Sequence, residues 1–410
     1  MQKKKIVVIN SVPVNGGDEA LLYATLQGLN AVFDTPQVKV LSDNPELARH
    51  YIGYTKFDYD WEYALLKADA DENQFFHKVK KKVRQFFNTT FAVPYTSFWS
   101  RLLASKREKR VYAILKESDA VILSAGGYIH DHYGFDKRLE TVRLINEKLN
   151  KPYAVFFQSV GPFWNTQNYP KLIHFFKNAH KVILREQYSL SHLKSIGYDG
   201  DNVVVSTDLA FYLNSEFSET MKVGSGIHKI ALNFREWPYE EEGEHIKDKA
   251  LLLCKYLIKE GYDLHFISTC QGVKDYKDDS IFAKQIIALL DTEEQKKCVL
   301  NDQKFELNEL VHQFSSYDAY IGMRLHGAIL SLLSNTPALN IAYEDKTLGI
   351  YDTMNLADFC FSFKEEFPVW TEKVDNFFLN HASYLNNISD IKKAQEKIVK
   401  QHLLELKTIV

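Results

Sequence analysis

The stretch KIVVINSVPVNGGDEALLYATLQGLNAV, residues 5–32, sets a short apolar run against a glycine turn and then a helical repeat. Lys5–Asn10 carries four apolar residues in succession, the pattern of a strand buried on both faces. Asn15, Gly16 and Gly17 make a tight loop, and Asp18 is placed to cap a helix over Glu19–Val32. The same succession recurs. Strands are expected at Val38–Leu41, Ala120–Leu123, Tyr153–Gln158, Val182–Arg185 and Val203–Ser206, with a helix at Leu172–Ala179. The polar stretch NSEFSETMKVGSGIH, residues 214–228, reads as a linker. Beyond it strands are expected at Ile230–Phe234, Leu264–Ser268, Ala319–Gly322 and Ala338–Ala342. Helices are expected at His245–Glu260, Ser280–Leu290, Leu307–Ser315 and Gly327–Leu333. Alternating strands and helices predict parallel sheets, hence an α/β fold of two Rossmann-like, doubly wound domains facing a cleft. Their expected spans are 1–215, with an insertion at about 75–110, and 228–410, ending in a C-terminal helix.

The chain has 410 residues, 45% hydrophobic and 25% charged, an ordinary globular composition for two domains. Cys254, Cys270, Cys298 and Cys360 form no CxxC pair and no disulfide framework, which suits a reducing, cytoplasmic setting. The basic start is followed by too short an apolar run for a signal peptide, and nothing approaches the roughly 18 apolar residues of a membrane span. The formal charge of −3 is unevenly distributed. Between His77 and Arg110 ten Lys or Arg face one acid, Glu108, so the stretch is +9 and the rest, with 40 basic and 52 acidic residues, is −12. Phe86, Phe87, Phe91, Phe98 and Trp99 interleave with these cations, a combination suited to an anionic membrane surface and equally to a solvated helical insertion. Nucleic acid is not an expected partner, because the overall balance is acidic and no recognition motif accompanies the patch.

In doubly wound sheets ligands bind beyond the carboxyl ends of strands, so the motifs there carry the functional reading. Asp18 in NGGD serves as a helix cap or a substrate contact. Gly126 and Gly127 in SAGGYIHDHYG allow close approach of backbone or ligand. His130, Asp131 and His132 follow them, but no partner set with ligand spacing accompanies these three, and no metal is expected. Gln158 and Ser159 end a strand in FFQSVGPF. Arg185 ends the next strand, where a guanidinium needs a partner: Glu186, Asp208 or a bound anion. Arg324 and His326 stand between a strand and a helix in AYIGMRLHGAILSL, and Lys346 follows the next strand in AYEDK. Arg185, Arg324 and Lys346 together suit a small, multiply charged anion, each charge-assisted hydrogen bond being worth roughly 1.5–3 kcal/mol. His326 is placed to move protons there at neutral pH.

Taken in order, GGDEALL, AGG, QSVGP, LREQYS, TDLAF, RLHGAILSL and AYEDK resemble the polysaccharide pyruvyl transferases over about residues 10 to 350. The resemblance implies a glycosyltransferase B-type architecture and transfer of pyruvate from phosphoenolpyruvate to two sugar hydroxyls as a cyclic ketal. It implies donor binding by Arg185, Arg324 and Lys346 and proton transfer by His326, with phosphoenolpyruvate as substrate and no cofactor. The implied partners are a sugar or lipid-linked oligosaccharide acceptor in bacterial surface-polysaccharide synthesis, with residues 77–110 meeting the inner face of the cytoplasmic membrane. Two positions depart from the family pattern. Ala125 replaces the first of three glycines, and Phe157 stands where glycine commonly precedes Gln158. A nucleotide-sugar-dependent glycosyltransferase of the same fold is the rival reading, and a non-enzymatic carbohydrate- or lipid-phosphate-binding protein a third.

Overall fold

The computed structural model describes residues 3–42, 44–52, 57–59, 78, 79, 82, 104–132, 134–217, 226–237, 245–273 and 277–410. They divide into two compact units, one of Met1–Pro13, Leu21–Ser206 and Lys400–Val410, the other of Val14–Ala20 and Thr207–Val399. The main crossing from one unit to the other falls between Ser206 and Thr207, and two short segments lie with the unit remote from them in sequence. The physical reasons are local. Glu19 is buried in an ion pair with Lys304 at 2.7 Å, which places residues 14–20 in the second unit. Near the C-terminus, Glu405 pairs with Lys181 at 2.9 Å, which places residues 400–410 in the first.

The first unit is built on β1 (Lys5–Ser11), α1 (Gly16–Phe33), β2 (Gln37–Ser42), α2 (Pro45–Ile52), β3 (Phe57–Tyr59), α3 (Lys106–Glu117), β4 (Ala120–Leu123), β5 (Gly126–Ile129), α4 (Asp136–Leu149), β6 (Tyr153–Val160), α5 (Tyr169–Asn178), β7 (Lys181–Leu184), α6 (Gln187–Ser195) and β8 (Val203–Val205). Its strands are parallel in the order β3-β2-β1-β4-β6-β7-β8, with β5 paired to β6. Val7, Val121, Val155 and Val182 form the sheet side of a core closed by Leu172, Phe176 and Leu193 from the helices. Strand β6 is buried along its whole length, which is why it reads as an unbroken apolar run.

The second unit contains β9 (Lys229–Asn233), α7 (Ile246–Lys259), β10 (Asp263–Phe266), α8 (Asp279–Ile287), α9 (Thr292–Gln295), β11 (Cys298–Leu300), α10 (Leu307–Ser315), β12 (Ala319–Gly322), α11 (Leu325–Leu333), β13 (Ala338–Ala342), α12 (Asp345–Thr353), β14 (Cys360–Ser362), α13 (Phe367–Leu379) and α14 (His381–Leu403). The sheet is again parallel, ordered β11-β10-β9-β12-β13-β14. Both sheets reverse strand order beside their first strand, between β1 and β4 in one and between β9 and β12 in the other, and such a reversal opens a crevice at the strand ends. The short strands β3, β5, β11 and β14 were not expected from sequence; β3 is interrupted by Asp58 and β5 opens on two glycines, so neither presents a continuous apolar run.

Most of the basic aromatic stretch, including Lys80, Lys81 and Arg84, lies outside the described residues. Its described end forms α3, opened by a capping box in which Ser105 and the buried Glu108 satisfy each other's backbone amides. Arg110 pairs there with the buried Asp58 at 2.6 Å, so this cation belongs to the fold. Among the described residues no helix is long and apolar enough to cross a membrane, and all four cysteines are free.

Phe157 lies in β6 at φ 46°, in the left-handed region that glycine occupies without steric cost. The pairing of β6 with β7 shifts register between Val155 and Gln158, so residue 157 sits at an irregularity that needs this backbone. The phenyl ring is fully buried and meets Phe156 edge-on, with ring centroids 4.8 Å apart. Left-handed backbone costs roughly 1–2 kcal/mol for a residue with a Cβ, whereas deleting a buried phenyl costs about 3–5 kcal/mol. Burial wins, so Phe157→Gly should destabilise the protein by about 2–3 kcal/mol despite relaxing the backbone. The midpoint of urea unfolding checks it; an unchanged midpoint would show that the ring contributes no more than its backbone strain removes.

Candidate functional site

In the second unit the β12–α11 turn is shaped by one tyrosine hydroxyl. A Cβ at Gly327 would stand 2.2 Å from Tyr320 Oη, and one at Gly322 would stand 2.4 Å from it, so both glycines clear its volume. The hydroxyl donates to the Arg324 carbonyl at 3.2 Å, and Asn340 Nδ2 donates to the same oxygen. The Arg324 amide is received by Asn233 Oδ1 at the end of β9. Its guanidinium turns onto Asp279, Nε and Nη2 each donating to one carboxylate oxygen at 2.7 Å. Ser268 Oγ and Asn233 Nδ2 also donate to Asp279. Arg324 is thus held in a fork-to-carboxylate pair at the point where the strand order reverses. Asp279 lay in no strand-end motif, so the sequence alone did not mark it.

His326, two residues on, follows a different path. A Cβ at Gly17 would lie 2.5 Å from His326 Nδ1, so the second glycine of NGGD is the floor on which the imidazole rests. His326 Nε2 stands 3.6 Å from Oδ2 of the fully buried Asp208, beyond hydrogen-bond reach, and is itself buried with no hydrogen-bond partner among the described residues. Asp208 is oriented by its other oxygen, which accepts from the Ala210 amide at 2.9 Å. Asn15, rather than Asp18, caps α1: its Oδ1 accepts from the Asp18 amide and its Nδ2 donates to the Asp18 carboxylate at 2.6 Å. Burial raises the Glu19 carboxyl pKa, against the pull of Lys304.

In the first unit, Arg185 is 2% exposed and its Nε donates to Ser159 Oγ at 2.7 Å. Glu186, one of the partners foreseen for it, instead caps α6 by accepting from the Ser189 amide and hydroxyl. Gly126 pairs in register with Gln158, which brings the AGG and QS motifs side by side. Gln158 is fully buried, donates to the Ser124 carbonyl, and keeps its Oε1 without a partner among the described residues. Gly127 follows on the same short strand. Asp131 accepts from the amides of Trp164 and Asn165, which makes it a loop anchor. Among the described residues no three His, Cys, Asp or Glu side chains are grouped to hold a metal.

Lys346 Nζ pairs with Glu344 at 2.7 Å, both side chains mostly buried. Of the cations singled out from sequence in this unit, Arg324 and Lys346 therefore each carry a counter-charge. Two cations that escaped notice stand differently. Arg235, two residues beyond β9, and Lys277, just before α8, line a cavity of about 710 Å³ together with Arg324, Trp237 and Asp279. Lys277 is an exposed residue, yet partial burial of its ammonium and then the like charges of Arg235 and Arg324 hold its pKa below the usual lysine value. The available signal was positional, a cation just after the first strand of a doubly wound unit.

Residues 15–345 match the family model described as polysaccharide pyruvyl transferase. The amylovoran biosynthesis protein AmsJ of Erwinia amylovora is 24% identical over 370 residues, 87% of each chain. Among solved structures, Anabaena Alr3699/HepE in complex with UDP and glucose superposes with a TM-score of 0.55 at 11% identity, covering 98% of both chains. The UDP complex of S. aureus MnaA gives 0.54 at 12% identity, over 93% of this chain and 91% of that one. UDP-GlcNAc 2-epimerase from Neisseria meningitidis gives 0.52 at 10%, over 98% of each. At such identities the likeness is one of fold. Two parallel-sheet α/β domains of the GT-B glycosyltransferase and epimerase type are present.

The Gly17–His326 contact makes a direct prediction. Alanine favours a helix over glycine by roughly 1 kcal/mol, so Gly17→Ala should not lower the stability of α1 itself. The added methyl must instead displace the imidazole. The methyl would also stand 2.7 Å from His326 Cβ, which turning the ring cannot relieve, so we expect the variant to melt below wild type and the His326 ring nitrogen resonances, read by ¹H–¹⁵N correlation, to move; an unchanged melting point with unmoved resonances would contradict the packing.

Proposed function

The chain belongs to the polysaccharide pyruvyl transferase family, and from that premise we propose that it moves pyruvate from phosphoenolpyruvate onto two hydroxyls of one sugar residue as a cyclic ketal. The family makes it a transferase. AmsJ, a protein of amylovoran biosynthesis, supports an exopolysaccharide acceptor. The observation that carries the chemical reading is His326. Its Nε2 is buried, has no hydrogen bond among the described residues, and is held beside a fixed carboxylate on a glycine floor. An imidazole so placed can give and take a proton.

The reaction then runs as follows. The imidazolium of His326 gives its proton to the methylene carbon of phosphoenolpyruvate, developing cationic character at C2, and a sugar hydroxyl forms its C–O bond there while returning a proton to the imidazole. Phosphate leaves from the tetrahedral centre, and the second hydroxyl closes the ring, its proton leaving with the phosphate. The balance is one donor and one diol to one ketal and one phosphate, with no electron transferred, so the step calls for no redox cofactor. Asp208 serves His326 as a positioning residue, stabilising the imidazolium when it forms.

General acid–base assistance is typically worth about 10²–10⁴-fold, so His326→Ala should lower turnover by that order with little change in donor affinity. Phosphate release coupled to the mass gain of a ketal on the acceptor is the assay. Release of UDP from a sugar nucleotide, with no ketal formed, would overturn the proposal in favour of glycosyl transfer.

A lipid-linked acceptor at the inner face of the cytoplasmic membrane completes the proposal, supported by the ten cations and interleaved aromatics of residues 77–110. Each basic residue contributes about 1 kcal/mol near anionic lipid, and salt screens the effect. The protein should sediment with vesicles containing anionic lipid and not with neutral ones. Replacing Lys80, Lys81, Lys82 and Arg84 by Gln should abolish that association and spare activity on a short water-soluble acceptor. Equal sedimentation of the quadruple variant would refute the membrane role.

A further inference from the structure

We propose that the cavity beyond β9 is a phosphoryl subsite, in which Arg235 and Lys277 receive the oxygens of a phosphate monoester or diphosphate. The inference rests on the transferase reading but concerns residues that reading does not use, since His326 does not line this cavity.

The cavity sits where strand order reverses between β9 and β12, the place in a doubly wound sheet where ligands are received. Arg235 is 4% exposed and is held in one pose by aromatic rings, its guanidinium carbon 4.7 Å from the Tyr343 ring centre and 5.4 Å from that of Trp237. Its Nη1 donates to Tyr343 Oη at 2.9 Å and its Nε to the Glu236 carbonyl at 3.2 Å. Nη2 has no hydrogen-bond partner among the described residues and is not sealed from solvent, so a pre-set donor remains for a ligand. Lys277 has no acid paired with it among the described residues, and its ammonium lies in the fields of Arg235 and Arg324.

The acids around the cavity do not cancel this charge. Asp279 is clamped by Arg324, and Asp278 accepts from the amides of Ser280 and Gly272. Glu236 is exposed, and Lys247, a further cation on the wall, meets only the neutral Gln285 amide oxygen among the described residues. The start of α8 is occupied by its own two carboxylates and adds nothing for an anion. One open guanidinium nitrogen and an ammonium lining the same cavity suit an ion with several equivalent oxygens, as a phosphoryl group has.

The test titrates inorganic phosphate into the full-length protein by calorimetry, comparing wild type with Arg235→Gln, Lys277→Gln and Tyr343→Phe. Removing either cation should weaken phosphate binding about tenfold or more, and Tyr343→Phe, which frees the arginine without removing its charge, should weaken it less. Lys277 is exposed, so Lys277→Gln keeps the test decisive even where Arg235→Gln unfolds. Phosphate binding unchanged in Lys277→Gln, or absent from wild type, overturns the subsite. The two sources of the phosphoryl group separate in kinetics. A raised KM for phosphoenolpyruvate alone assigns the subsite to the donor, and a raised KM only for an acceptor carrying phosphate, not for its phosphate-free counterpart, assigns it to the acceptor. Loss of phosphate binding in the variants, together with a wild-type protein that forms no ketal, would sink the transferase chemistry and leave the subsite standing.

Discussion

The pair formed by Arg324 and Asp279 constrains the second unit more than any other interaction. Two parallel hydrogen bonds of 2.7 Å join the turn after β12 to the first residue of α8, and Asn233 at the end of β9 bonds to both partners. One carboxylate therefore ties three elements together at the point where strand order reverses. Buried charge is tolerated there because every partner is satisfied, and removing one would strand the other in a medium that solvates it poorly, at about 3–5 kcal/mol. With Arg324 so fixed, the direction of α11 is fixed, and so is the place from which His326 leaves it.

Glycine and its absence explain much of the rest. Gly17 and Gly327 are required by volume, the first under an imidazole and the second beside a tyrosine hydroxyl. Phe157 is the converse case, a side chain kept in left-handed backbone because its burial outweighs the strain. The departure from the family pattern at 157 therefore changes which residue bears the cost of the irregular strand, while the irregularity itself persists.

Charge is organised less simply than a count of cations suggests. Arg324 and Lys346 are each compensated by an acid nearby in their own unit. The field in the cavity beyond β9 is felt instead by Lys277, whose proton is held less tightly because its ammonium is partly buried and Arg235 and Arg324 are close. A cation paired with a carboxylate holds a structure. One whose neighbours are also cations attracts an anion.

The sequence by itself determined the two parallel α/β halves, because strands buried on both faces are continuous apolar runs, visible at β1, β6 and β12 without any tertiary knowledge. It also pointed to the strand ends as the expected places for a ligand, since the motifs follow strands, and the order of those motifs identified the family. Short strands without a continuous apolar run, such as β3 around Asp58 and β5 on its two glycines, left no such mark. Which side chain meets which was decided by tertiary structure alone: that Asp279 claims Arg324, that Glu344 claims Lys346, that Gly17 lies under His326 across some three hundred residues of chain. Such pairings depend on distance in space between residues with no fixed spacing in sequence, and a local pattern carries no record of them.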